Sequence, residues 1–221
     1  MTIQALIGCE EHLIHANDKA VSAAVAYVEQ HLTIGRHKEN GKSRVERTGN
    51  LIIAKYHHET ARPTEVAAPD QHLYVHALLM NLTQPTDDSW VALSNEQIFK
   101  LLQMTDSIYQ AELERNVRTL GYAPRHEKSH IELAHISREQ IEFFSKRNAG
   151  ITAELSARGT SRKGAPHALH QGITLAHRQA KTRELSRTEL HRQWREVASA
   201  IEMQFDQVWE QTEIQPAQTF G

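Results

Sequence analysis

The 221 residues carry 25 lysines and arginines against 27 aspartates and glutamates, a formal charge of -2, with 39% hydrophobic and 24% charged residues. A mean hydropathy of -0.56 fits a globular chain long enough to bury a core. No run approaches the roughly 18 to 20 apolar residues of a membrane helix, and the start MTIQALIGCEEH lacks a basic n-region and a long h-region. The single cysteine, Cys9, excludes an internal disulfide. Together these features point away from secretion and membrane spanning and towards a reducing cytoplasm.

After a short apolar start, Leu13, Ile14, Val21, Val25 and Val28 fall at helical spacing and predict an amphipathic helix over about Glu10 to His31. Gly35 to Lys42 reads as a loop. Between Ser43 and His58 the period changes, and TGNLIIAKYHH reads as a strand. Pro63 and Pro69 place a connecting loop over Thr60 to Pro69, His72 to Thr83 is a second apolar strand, and QPTDDS at Gln84 to Ser89 ends it in a turn.

Three helix starts carry Ser followed three residues later by Gln or Glu. Ser94 with Gln97 predicts a helix to about Leu120, Ser137 with Gln140 one to about Ala157, and Ser186 with Glu189 one through about Trp209. HIELA near Ile131 predicts a short strand, and Gly159 to Pro166 a basic link. The expectation is an α+β core over 1-158 and a helical extension over 159-221. From Ile151 to Arg195 nine basic residues stand against three glutamates, net +6, whereas Glu196 to the end has five acids and no base, net -5. The basic stretch predicts a polyanion-binding face; two helices with charged outer faces are the alternative.

Fifteen histidines exceed ordinary usage, and HHETAR at His57 to Arg62 with DQHLYVH at Asp70 to His76 concentrates four of them. Side chains two apart on a strand share a face, so His72, Tyr74 and His76 lie together while His57 faces away from His58. If the two strands are neighbours, His58 and His76 converge, and paired imidazoles suit a divalent metal with open positions. The other eleven histidines are assigned no role.

At these residues the sequence resembles the TrwC/TraI-type relaxases, the MobF class of conjugative plasmid transfer. The likeness runs in order through TGNLIIAKYHHETAR, HALLMNLTQ, SWVALSNEQI, YQAELERNVRTLGY, ELAHISREQIEFFSKR and LSRTELHRQWREVA. It implies an α+β fold in which an antiparallel sheet of the histidine-motif type packs with helices. It also implies nicking and strand transfer at a transfer origin by a tyrosine, with a metal on three histidines polarising the scissile phosphate. Carried over by motif, the ligands fall on His58 and His76, and the middle position is Tyr74. A phenol, ordinarily protonated at neutral pH, is a poor ligand beside imidazole. His72 is a weaker substitute, since residues four apart on a strand are about 13 Å apart and two zinc ligands lie within about 4.2 Å.

The resemblance implies that the nucleophilic tyrosine and its orienting carboxylate precede Met1. The expectation is therefore a relaxase fragment with an incomplete sheet, inactive alone, that binds Mg, Mn or Zn weakly and contacts DNA, mainly single-stranded. Lys146 and Arg147 in FSKR, with Arg178 and Lys181, are the expected phosphate contacts, and self-association through an exposed sheet edge is expected. A non-catalytic DNA-binding remnant and a structural helical protein are the alternatives.

Overall fold

The computed structural model describes residues 1-39, 41-61, 69-128, 130-176, 185-201 and 203. In chain order, α1 is Thr2–Leu6, α2 Glu11–Tyr27, β1 Ile34–Glu39, β2 Lys42–Arg47, β3 Ile53–Thr60, β4 Gln71–Leu79 and β5 Ala92–Leu93. Then come α3 Glu96–Lys100, α4 Leu102–Thr119, β6 Pro124–His126, β7 Ile131–Leu133, α5 Arg138–Phe143, α6 Lys146–Ala157, α7 His167–Ala176 and α8 Arg187–Ala200. The chain divides into two units. One comprises Met1–Glu11, Glu59–Leu73 and Leu133–Gly221, and the other His12–His58 and Tyr74–Glu132. They are termed the flanking and central units. Antiparallel sheets and helices give the expected α+β class.

In the central unit the apolar stripe of α2 buries Leu13, Ala16, Ala20 and Ala24, and a π-helical turn over Val28–Leu32 continues it. Burying each such side chain contributes on the order of 1.5 to 3 kcal/mol for the larger residues. Asn17, also buried in this stripe, accepts a hydrogen bond at Oδ1 from the Tyr109 hydroxyl of α4 at 2.8 Å. Leu113 and Val117 are the buried face of α4. Gly121, with φ +87°, ends that helix region as the sequence predicts.

The central sheet has the order β2-β1-β5. The segment expected to be a loop is instead an antiparallel hairpin, in register from Ile34 opposite Arg47 to Glu39 opposite Lys42. Gly41 at its turn has φ +76°, open to glycine. At Gly35 a Cβ would lie 2.8 Å from Val91 Cγ2, so only glycine lets β5 close on β1. The strand expected within 43-58 is two strands, parted around Gly49 at φ +68°.

The helix expected from Ser94 is corrected in two ways. Asn95 is the N-cap and makes no side-chain cap bond, and the Ser94 amide, which a capping box would give to the Gln97 side chain, donates instead to the Ile34 carbonyl and continues the sheet. The helix also breaks at Leu101, where φ is -109°. The 84-89 turn forms as expected, with Ser89 donating from both N and Oγ to Asp87. One predicted short strand near Ile131 is a β6-β7 pair.

In the flanking unit α1 buries Ile3, Ala5 and Leu6, and Gln4 Oε1 lies 3.1 Å from His135 Nε2. Burial pushes the His135 imidazole below its ordinary value. The Ser137 capping box closes on both sides: Ser137 Oγ accepts from the Gln140 amide, and Gln140 Oε1 accepts from the Ser137 amide. The helix expected to continue from it to Ala157 is interrupted at Phe144 and Ser145, separating α5 from α6. Ile151 and Leu155 of α6 pack with Ile173 of α7 in one buried cluster. Ser186 caps α8 through the Glu189 amide, and Trp194 donates from Nε1 to the Pro69 carbonyl at 2.8 Å. The helix expected to run through about Trp209 ends instead at Ala200, with Ile201 as its C-cap, and residues 62-68 of the expected loop lie outside the described residues.

Candidate metal centre and nucleic-acid surface

The chemistry of the central unit sits on the alternation of β3 and β4. Lys55 and His57 point to one side of β3, where Asp18 of α2 receives both: Lys55 Nζ at 3.0 Å and His57 Nε2 at 3.5 Å from Oδ1. Lys55 also donates to Ser22 Oγ at 3.0 Å. This anchoring leaves His58 on the opposite face, as strand periodicity requires.

There His58 meets the two rings of β4. His58 stacks on Tyr74 with ring centres 4.8 Å apart and planes 15° from parallel. His76 lies edge-on to both, 4.9 Å from His58 and 5.0 Å from Tyr74. The three positions carried over from the family motif are thus brought into a nearly equilateral triangle. The middle one is the phenol, and among the described residues no group of three His, Cys, Asp or Glu side chains is placed to hold a metal. His57 is turned away, as expected. His72 falls in the flanking unit, and desolvation lowers its imidazole below the ordinary value.

Sequence reasoning missed the second feature of this unit. The β1-β2 ribbon, from Ile34 to Arg47, contains five basic residues and two glutamates, net +3. Arg36, Lys38, Lys42, Arg44 and Arg47 are all exposed. By alternation and register, Arg36, Lys38 and Arg47 lie on one face and Lys42 and Arg44 on the other. Glu46 is tied at Oε1 by the Thr86 amide and hydroxyl at 3.1 and 3.0 Å. Those bonds, led by the amide, hold its carboxyl below the ordinary value. The available signal was basic residues alternating through a segment with Asn-Gly at its centre.

The expected phosphate contacts fare differently. Lys146 starts α6 with its amide donating to Asp70 Oδ2 at 2.8 Å and its Nζ 3.1 Å from Oδ1. Its charge therefore compensates a carboxylate only 7% exposed. Arg147 lies on α6. Arg178 and Lys181 lie outside the described residues. Three of the nine basic residues of the +6 stretch are paired with acids: Arg158 with Glu154, Arg192 with Glu189 and Glu196, and Arg187 with Glu59.

Five tyrosines are present, and their settings differ. Tyr27 donates to Met104 Sδ, Tyr74 stacks as above, Tyr122 is buried, and Tyr56 is exposed on β3. Burial, reinforced by Asp106, pushes the Tyr109 phenol up to about 12.

The TrwC relaxase family model matches residues 1-201. The multifunctional conjugation protein TraI of Escherichia coli is 30% identical over 160 residues, which is 68% of this chain and 9% of that protein. TraI of Escherichia coli strain K12 is 30% identical over 131 residues, 55% of this chain and 7% of that protein. The chain thus matches less than a tenth of the length of these curated relatives. Among solved structures, TrwC complexed with a 27-mer DNA comprising the recognition hairpin and the cleavage site superposes with a TM-score of 0.83 at 34% identity. That match covers 92% of this chain and 71% of the other. A metal-bound structure of the conjugative relaxase TrwC with OriT DNA gives 0.84 at 35% identity, covering 92% and 69%.

Proposed function

Because the chain belongs to the TrwC relaxase family, we propose that it serves a conjugative DNA relaxase, supplying metal-holding and DNA-holding residues for strand nicking and transfer at a plasmid transfer origin. The observation that carries this reading is the convergence of His58, Tyr74 and His76 on one face of β3 and β4.

The donor set fits a divalent metal through two imidazoles. With a nitrogen about 2.1 Å from the ion, each ring centre is about 3.2 Å from it, and two rings at the tetrahedral angle then stand about 5.2 Å apart. The observed His58 to His76 separation is 4.9 Å. In this reading His58 and His76 hold Mg, Mn or Zn, with Tyr74 at the third position as a poor ligand, so affinity is weak. When bound, the ion supplies Lewis-acid polarisation of a phosphate oxygen. Asp18, by holding Lys55 and His57, fixes the rotation of β3 that presents His58.

DNA is held by the basic ribbon. A two-stranded ribbon fits a major groove, and its exposed lysines and arginines suit backbone phosphates. Arg147, Arg178 and Lys181 add phosphate contacts over single-stranded DNA, and Lys146 does so while shared with Asp70. Residues 1-158 act as the metal-bearing core and 159-221 as its helical extension. Self-association through the outer edges of the β3-β4 pair belongs to the same reading.

Fluorescence anisotropy with labelled single-stranded and hairpin oligonucleotides, with and without Mn²⁺, tests it. Salt-sensitive binding that weakens when Lys42 and Arg44 become alanine supports the reading, and binding too weak to measure at low salt overturns it.

A further inference from the structure

In the central unit, the face of β3 and β4 that carries the three rings continues along both strands as an apolar surface. Lys55 and His57 are turned to Asp18 of α2, so by alternation Ile52, Tyr56 and His58 share the opposite face. On β4 the same alternation places Leu78 and Met80 with Tyr74 and His76. The Met80 amide donates to the Ile52 carbonyl at 2.9 Å, which extends the pairing just beyond the strand ends. Ile52, Tyr56, Leu78 and Met80 are each between 43% and 54% exposed. Large apolar side chains gathered on one face and left in water mark a surface that receives a ligand.

Its position and chemistry say what covers it. Tyr56 is two residues from His58 along β3, about 6.6 Å at roughly 3.3 Å per residue, and Leu78 is as far from His76 along β4. A phosphate polarised by a metal on His58 and His76 belongs to a strand with a base on either side of it, and those bases are flat, uncharged and apolar on their faces. The surface matches them. It offers an exposed phenol ring beside aliphatic side chains, and the positions on this face from Ile52 to His58 and from Tyr74 to Met80 include no lysine, arginine, aspartate or glutamate. The cations that phosphates need stand instead on the β1-β2 ribbon. A second copy of the chain is a poorer occupant, because four side chains fall well short of the roughly 20 to 30 residues a side that a stable interface engages.

We propose that Tyr56, with Ile52, Leu78 and Met80 around it, is a stacking platform that seats the nucleobase next to the phosphate at the metal centre. The inference rests on the relaxase reading above and adds to it a residue that reads neither phosphate nor metal. Tyr56 is a positioning residue: its ring holds a base, and the base holds the adjoining phosphate in register with His58 and His76. Every base has a π-face, so the platform supplies register and affinity on a single strand with little sequence preference.

Fluorescence anisotropy of the full 221-residue chain with two labelled single strands of equal length, one of thymidines and one abasic throughout, separates base contacts from phosphate contacts. The thymidine strand should bind more tightly than the abasic one. Tyr56→Ala should weaken the thymidine strand by about fivefold to a hundredfold, the range for loss of one stacked base. It should leave the abasic strand and the salt slope unchanged, since no phosphate contact is lost. Tyr56→Phe should bind as wild type, because the ring and not the hydroxyl carries the contact. Mn²⁺ should tighten the thymidine strand more in wild type than in Tyr56→Ala, since base and phosphate are held together. Circular dichroism checks folding, and Leu78→Ala, with a smaller loss on the same strand, decides the matter if Tyr56→Ala is unfolded. Equal binding of the two strands, or a thymidine preference that survives Tyr56→Ala, overturns the platform while salt-sensitive binding leaves the relaxase reading standing. Binding too weak to measure at low salt overturns both. A dimer in light scattering that Tyr56→Ala disperses, with the thymidine preference unchanged, gives the face to a second copy and overturns the proposal.

Discussion

Replacing Tyr74 with histidine should convert a two-imidazole site into a three-imidazole one. The Tyr74 ring centre is 4.8 Å from His58 and 5.0 Å from His76, close to the 4.9 Å between the two histidines. An imidazole in that place needs no backbone movement to meet the same point. Structural zinc sites with four ligands bind with about 10 to 16 kcal/mol, or about 3 kcal/mol per ligand. Allowing for the exposure of His76, about 1.5 to 3 kcal/mol of that should be realised, an affinity gain of about tenfold to a hundredfold. The lost phenol stack costs at most about 0.5 to 1.5 kcal/mol of stability, and an imidazole can still stack. Isothermal titration with Zn²⁺ and Mn²⁺ at pH 7.5 measures the gain, and His58→Ala in the Tyr74→His background should cancel it. Equal affinity for wild type and Tyr74→His, or a gain that survives His58→Ala, would refute the assignment of these rings to one centre.

Three further outcomes follow from the same structure. Lys42→Ala with Arg44→Ala should lower the slope of log affinity against log salt by about 1.8 on a hairpin duplex, at about 0.9 per phosphate, and a salt titration of anisotropy reads this directly. Incubation of the 221-residue chain with a transfer-origin oligonucleotide and Mn²⁺ should give no protein-DNA band surviving denaturing electrophoresis. Burial of Tyr109 and the ring contacts of Tyr74 disfavour attack, and an adduct mapped to exposed Tyr56 would contradict this. Tyr109→Phe strips the hydrogen bond from buried Asn17 and should destabilise by about 1 to 3 kcal/mol in urea unfolding at pH 7. Because the folded phenol titrates at about 12, above its ordinary 10, the stability it lends is complete below pH 10 and lost as pH rises towards 12.

What could be read from the sequence was what depends on near neighbours. The Ser137 and Ser186 caps formed because each uses a backbone amide three residues on, and the sidedness of His57 against His58 follows from strand alternation. The Ser94 signature failed because a non-local partner, the Ile34 carbonyl, took its amide. The part of the ribbon over 35-42 resembled a loop because its residues are largely polar, which removes the apolar alternation that marks a half-buried strand. Breaks at Leu101 and Phe144 leave no proline or glycine in the sequence. At the candidate sites, Lys146 reads as a free cation until Asp70 is brought to it. Such pairings are products of tertiary structure, and charge counts along a segment cannot contain them.

The most direct test of the relaxase reading is the anomalous difference map of crystals grown with Zn²⁺ or Mn²⁺. The account predicts one peak on the open face of β3 and β4, within about 2.1 to 2.2 Å of one imidazole nitrogen from each of His58 and His76. Metal that binds elsewhere, with no peak between these two rings at saturating concentration, would contradict it.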